Sequence, residues 1–177
     1  MNPDFTQNHF DLFAMPVSFD LDTQALERAY RDLQREVHPD RFAAASDAEK
    51  RLAAQWATRA NEGYQTLRSP LKRGRYFLRI NGIDTEEESN TAMPLEFLEQ
   101  QMAWREAVVD ARAIKDEARL DALAAQRSAE EKTLFELLAQ QLSTSGTLID
   151  ARLTVRKLRF LEKLGEEIDE AFEVLAA

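Results

Sequence analysis

Leu26, Tyr30, Leu33 and Val37 recur at spacings of four, three and four, which puts all four on one face of an α-helix. The same rhythm returns in Ala53, Trp56, Ala60, Tyr64 and Leu67. Strand-type alternation occurs nowhere, and only five glycines and five prolines interrupt 177 residues. Such a chain is expected to be all-α.

The helix breakers divide it further. Phe10, Leu12 and Phe13 form a short apolar anchor, which Pro16 ends. Asp22 caps the helix of Leu26–Val37, and Ser46 or Asp47 caps the next one. The short connection between them forces an antiparallel hairpin. Ser69-Pro70 restarts a helix in the cap-then-proline order, with Leu71, Phe77, Leu78 and Ile80 as its apolar surface, and Asn81-Gly82 stops it. Residues 83–93, with Glu86-Glu87-Glu88 and Ser89-Asn90-Thr91 inside them, read as a polar, aperiodic linker. A helix from Pro94 to about Ala125, a second from Ala129 to Leu142 and a third from Thr147 to Leu175 then make an antiparallel three-helix bundle. The expected units are 1–82 and 94–177.

Charge falls unevenly on these units. Residues 1–80 carry 12 basic and 11 acidic side chains, whereas residues 81–177 carry 11 and 21, a balance of −10. Nucleic-acid binding rests on basic surface, so no nucleic-acid partner is expected. No apolar run reaches the roughly 20 residues of a bilayer span, and Met1-Asn2-Pro3-Asp4-Phe5 lacks the pattern of a secretory signal. The absence of cysteine excludes disulfides and thiolate metal sites and fits a reducing compartment. A cytoplasmic protein with no membrane partner, metal or cofactor is expected.

Between the two N-terminal helices stands Val37-His38-Pro39-Asp40-Arg41. Proline clashes with a helical residue before it and cannot donate to the helix ladder, so the helix ends here and His38 and Asp40 sit on a stiff turn. Arg28, Arg31 and Arg35 recur at three and four on the face opposite the apolar one. By themselves, the tripeptide reads as an ordinary helix-ending turn and the arginines as a solvated face. A catalytic pair of His38 and Asp40 would need a cleft around both. The chain offers no cysteine nucleophile, no serine in a recognisable motif and no metal-ligand spacing, so an enzyme is not expected. His9, the other histidine, is expected to be structural.

The basic amphipathic helix, His38-Pro39-Asp40, Phe42 and the Trp/Tyr-lined second helix together resemble the J-domain. Asn61-Glu62-Gly63-Tyr64-Gln65-Thr66-Leu67-Arg68-Ser69-Pro70-Leu71 looks like the third-helix ending of the HscB family, the J-type co-chaperones of iron–sulfur cluster biogenesis. Lys115-Asp116-Glu117-Ala118-Arg119-Leu120 and the run from Val155 to Leu164 are similar to further stretches of that family, and the resemblance covers nearly the whole chain. It implies a non-enzymatic partner of an HscA/DnaK-type ATPase chaperone. His38, Pro39 and Asp40 would stimulate its ATP hydrolysis, Arg28, Arg31 and Arg35 would meet its acidic surface, and Arg41 would join the chaperone contact beside the tripeptide. Two residues of the first unit depart from the family pattern. Arg41 replaces a lysine, and Gly63 stands where alanine is commoner, at a cost of about 1 kcal/mol if mid-helix.

Helical wheels show a second surface. On the helix from Pro94, Phe97, Trp104, Val108 and Ala111 share one face, and Leu95, Leu98, Met102 and Val109 share another, edged by Glu99 and Glu106. One apolar stripe seats a helix in a three-helix bundle, so the other needs more core or a partner. Phe160 lies at the border between the apolar face of the last helix and its basic stripe of Arg152, Arg156, Arg159 and Lys163. In the family, an apolar patch here binds the IscU-type scaffold on which the cluster is built. That resemblance implies Leu98, Glu99, Met102, Ala103, Glu106, Asp110 and Phe160, although Ala103 departs from the acidic residue common there. The competing expectation is that Leu98 and Met102 pack under the J-domain or inside the bundle. A general J-domain adaptor with a different client, or with a dimerising bundle, is the alternative function.

Overall fold

The structure, a computed structural model, describes residues 6–42, 44–85 and 92–176. Among these residues it is built of α-helices and two short 3-10 turns, with no strand, as the periodicity requires. The chain divides into two compact units, 1–82 and 83–177. Of the expected linker, residues 86–91 lie outside the described residues. No helix is long and apolar enough to cross a membrane among the residues described.

The first unit holds α1 (His9–Leu12), α2 (Thr23–Val37), α3 (Asp47–Arg68) and α4 (Pro70–Ile80). Asp22 caps α2 by accepting from the N–H groups of Gln24 and Ala25. Ser46 caps α3 through a reciprocal box with Glu49, which satisfies two otherwise orphaned donors. The hydrogen bonds to Ser46 hold the Glu49 carboxyl below its ordinary range. α2 and α3 run antiparallel: the Tyr30 ring stacks on Tyr64 with centroids 4.0 Å apart, and the Tyr30 hydroxyl donates to Asn61 Oδ1 at 2.7 Å. Phe10, Phe13, Leu21, Leu26, Leu67 and Tyr76 form the core of this unit. Ile80, expected to be apolar surface of α4, is 37% exposed instead, because it lies in the last turn before the Asn81 cap.

Gly63 has a tertiary reason. A Cβ there would stand 3.2 Å from His9 Nδ1 and Phe13 Cε2 and 3.3 Å from Leu12 Cδ2. The missing side chain lets α1 lie directly on α3, which offsets the propensity cost of a mid-helix glycine. His9 is buried as expected, stacked on Tyr76 at 4.4 Å, while its backbone N–H donates to the Tyr76 hydroxyl at 2.8 Å.

The second unit is an up-down-up bundle of α5 (Leu95–Ala113), α6 (Glu117–Leu142) and α7 (Leu148–Ala176). Val108, Ala111, Leu120, Leu123, Leu164, Ile168 and Ala171 form one buried cluster across the three helices. The break expected after Ala125 lies twelve residues earlier, at Ile114–Asp116. There Lys115 adopts φ 56°, Asp116 N–H donates to Ala111 O at 2.9 Å and Lys115 N–H to Arg112 O at 3.3 Å. These are the paired closing bonds of a Schellman motif. Asp116 then caps α6 through Arg119 N–H. The motif uses lysine where glycine would announce it. Around Ser128 the helix continues, tied by Arg127 and Glu131 at 2.9 Å one turn apart. α7 begins one residue later than expected, because Thr147 closes the 3-10 turn Ser145–Thr147.

Candidate functional site

α2 ends at Val37, whose side chain is only 2% exposed and anchors the tip to the hairpin. His38, the residue before proline, has φ −59° and ψ 133°, the extended conformation that a following pyrrolidine ring enforces. Pro39–Phe42 form a 3-10 turn, closed by Arg41 N–H donating to His38 O at 3.0 Å. The Asp40 N–H donates to His38 Nδ1 at 3.3 Å. The Asp40 carboxylate stands 3.5 Å from Nδ1, and the side chains of His38 and Asp40 are 57% and 90% exposed. The turn thus presents an imidazole and a carboxylate from backbone that is already fixed.

The three arginines are exposed, and each has an acidic neighbour: Arg28 with Asp22 at 3.9 Å, Arg31 with Glu27, and Arg35 with Asp32 at 2.6 Å. Pairs this exposed add little stability and leave the guanidinium groups open to a better partner. Arg41 lies at the same end, with Nη1 3.5 Å from Arg35 O. Arg31, Arg35, Val37, His38, Arg41 and Ala57 line an open concavity beside the turn. Asp40 is not among the residues that line it.

The second candidate surface is on α5. Phe97, Val108 and Ala111 are buried and Trp104 is partly buried. Leu95 (69%), Met102 (71%) and Val109 (55%) are exposed, and Leu98 is half-buried between them. Met102 therefore does not pack inside the bundle. Glu99, Ala103, Glu106 and Asp110 are exposed along one edge of this stripe, and Asp110 lies 3.6 Å from Arg119. The result is an aliphatic strip with an acidic rim, a form that exposed apolar patches take when they bind protein.

Half-buried Phe160 of α7 meets Phe97 edge-on, with ring centroids 5.9 Å apart and planes at 82°. Lys157 Nζ lies 5.3 Å from the centroid of the same Phe97 ring. Behind them, Arg105 Nε donates to Glu167 Oε1 at 2.9 Å and ties α5 to α7. Lys157, Leu95 and Val109 are absent from the residues assigned to this site by sequence. The sevenfold spacing of Leu95, Met102 and Val109 was a signal for the last two. Lys157 offered none, since only the α5–α7 packing brings it to Phe97.

Known proteins resemble this chain over nearly its whole length. Residues 93–169 match a family profile described as the HSCB C-terminal oligomerisation domain. The chain is 54% identical over 168 residues to a co-chaperone protein HscB homolog of Paraburkholderia phymatum, covering 95% of each. It is 48% identical over 170 residues to that of Ralstonia nicotianae, covering 96% of this chain and 97% of the relative. Among solved structures, chaperone HscB from Vibrio cholerae superposes with a TM-score of 0.85 at 35% identity, over 96% of this chain and 99% of that one. Human co-chaperone protein HscB gives a TM-score of 0.89 at 30% identity, over 95% and 83%. With an N-terminal helical hairpin carrying His-Pro-Asp, a C-terminal bundle and whole-length identity of this order, the chain belongs to the HscB co-chaperone family.

Proposed function

We propose that this protein stimulates the ATPase of an HscA/DnaK-type chaperone and delivers to it an IscU-type scaffold of iron–sulfur cluster assembly, in the cytoplasm. His38, Pro39, Asp40 and Arg41 dock on the chaperone, and Arg28, Arg31 and Arg35 steer the encounter. Leu98, Glu99, Met102, Ala103, Glu106, Asp110 and Phe160 hold the scaffold. In this reading the protein acts as a non-enzymatic partner; the concavity beside His38, lined by Arg31, Arg35 and Arg41, supports docking of an acidic surface.

The observation that carries this reading is the exposure of Met102, 71% accessible inside an aliphatic stripe edged by carboxylates. A bundle needing only a core would not leave that stripe in water. At the other site, a turn fixed by proline loses little entropy on docking, and the arginines raise association rate more than affinity. Stimulation is then a population shift: the docked turn favours the hydrolysing conformation of the chaperone.

Titration of purified scaffold into a Leu98→Ala, Phe160→Ala double variant tests the client site. Affinity falls at least about tenfold while stimulation without scaffold is unchanged; unchanged affinity would return both residues to the bundle. The oligomerisation named in the matched family profile supports a second reading, self-association through α5. Sedimentation separates the two, because a dimer that dissociates on Met102→Glu and ignores scaffold would favour it.

A further inference from the structure

The basic residues of α7 have no part in the function proposed above. Residues 141–160 hold four of the eleven cations of the second unit and one of its 21 carboxylates, a cluster of positive charge on an acidic unit. Ile149, Leu153, Arg156 and Phe160 recur at spacings of four, three and four, so they share one face of α7 over about 16 Å. The opposite face, with Ala151, Val155, Leu158 and Leu161, is buried.

At its lower end this outer face borders a groove against α6. Leu137, Ile149 and Leu153 give the groove apolar walls, and Arg152, Arg156 and Lys157 surround them. Ile149 is 63% and Leu137 40% exposed. Thr154 Oγ1 donates to Gln141 Oε1 at 2.8 Å, which fixes the two helices at the groove. Asp150 is its single carboxylate. Lys157 belongs to both surfaces, since it lines the groove and also lies over Phe97, against which Phe160 packs.

We propose that the client surface continues from Phe160 along α7 into this groove, and that the groove takes an acidic amphipathic segment of the scaffold protein. The inference rests on the assignment of the Leu98–Phe160 patch to that client. Charge selects the occupant. Cations beside exposed aliphatic side chains favour a segment with carboxylates flanking apolar residues and repel a basic one. The α5 strip has an acidic rim, so the two ends of the surface differ in sign and fix the direction in which a client lies. Specificity comes from that polarity, which a uniform apolar patch would lack.

The test measures scaffold affinity for the full-length protein and for Ile149→Asp, Arg152→Ser and the Leu98→Ala, Phe160→Ala double variant, at low and high salt. Ile149 is exposed, so its substitution leaves the fold intact, which circular dichroism checks. Ile149→Asp weakens binding about tenfold. Arg152→Ser weakens it less and flattens its salt dependence. Normal affinity in Ile149→Asp and Arg152→Ser, with loss in the double variant, would overturn the groove and leave the patch standing. Normal affinity in all three would remove the patch and the groove together. Normal scaffold affinity with a lowered sedimentation coefficient for Ile149→Asp would give the groove to a second copy of the chain and overturn the proposal.

Discussion

Phe160 meets Phe97 edge-on at 5.9 Å, so the aromatic residue at the α7 end of the proposed client patch is held by a buried ring of α5. Phe97 is 6% exposed and would touch no client itself. Its ring positions Phe160 and also lies under the Lys157 ammonium.

Replacing Phe97 by leucine keeps an apolar side chain in place but removes the edge-to-face pair, which contributes about 0.5–1.5 kcal/mol beyond area burial. Urea unfolding should show a loss of that order plus a small packing term. Scaffold affinity should fall severalfold although no client contact is deleted. A stability loss without any change in affinity would show that Phe160 finds its position unaided.

Lys115 occupies the left-handed position that closes α5, at φ 56°. A side chain there costs about 1–2 kcal/mol, and glycine avoids the cost. Lys115→Gly should therefore raise stability by about 1 kcal/mol in urea unfolding, with scaffold binding and ATPase stimulation unchanged. Lower stability would mean that Lys115 makes contacts worth more than its backbone strain.

Burial holds the His9 imidazole below its ordinary pKa; Glu62 opposes this, and Arg59 and Arg79 push the same way as burial. The unfolded chain then binds a proton before the folded one does as pH falls. His9 thus contributes no pH dependence above about 6.5, and stability is lost as the pH drops from there through the lowered folded pKa. Thermal melts of the protein and of His9→Gln across that range should show a steeper fall for the protein. Parallel curves would contradict the burial of a neutral ring on Tyr76.

These predictions follow the boundary between what the sequence reveals and what only packing reveals. The 3.6-residue rhythm, the Asp22 and Ser46 caps and the proline after His38 are local physics, and each element they announce is present. The α5–α6 break escaped because its left-handed residue is lysine, while Ser128 with Glu131 three residues on imitates a helix start. Gly63 looked like a defect, since its reason is the approach of α1, more than fifty positions earlier. On α5, the wheel showed two apolar faces on one helix but could not say which met solvent. Burial of Phe97 against exposure of Met102 decides that.

In the proposed function, His38 and Asp40 signal to a chaperone while α5 and α7 hold its client. The most direct test is single-turnover ATP hydrolysis by the HscA-type chaperone with scaffold present, comparing this protein with its His38→Gln variant. The protein should accelerate hydrolysis strongly, and His38→Gln, which still binds scaffold normally, should return it to the unstimulated rate. Equal acceleration by both, or none by either, would contradict the proposed function.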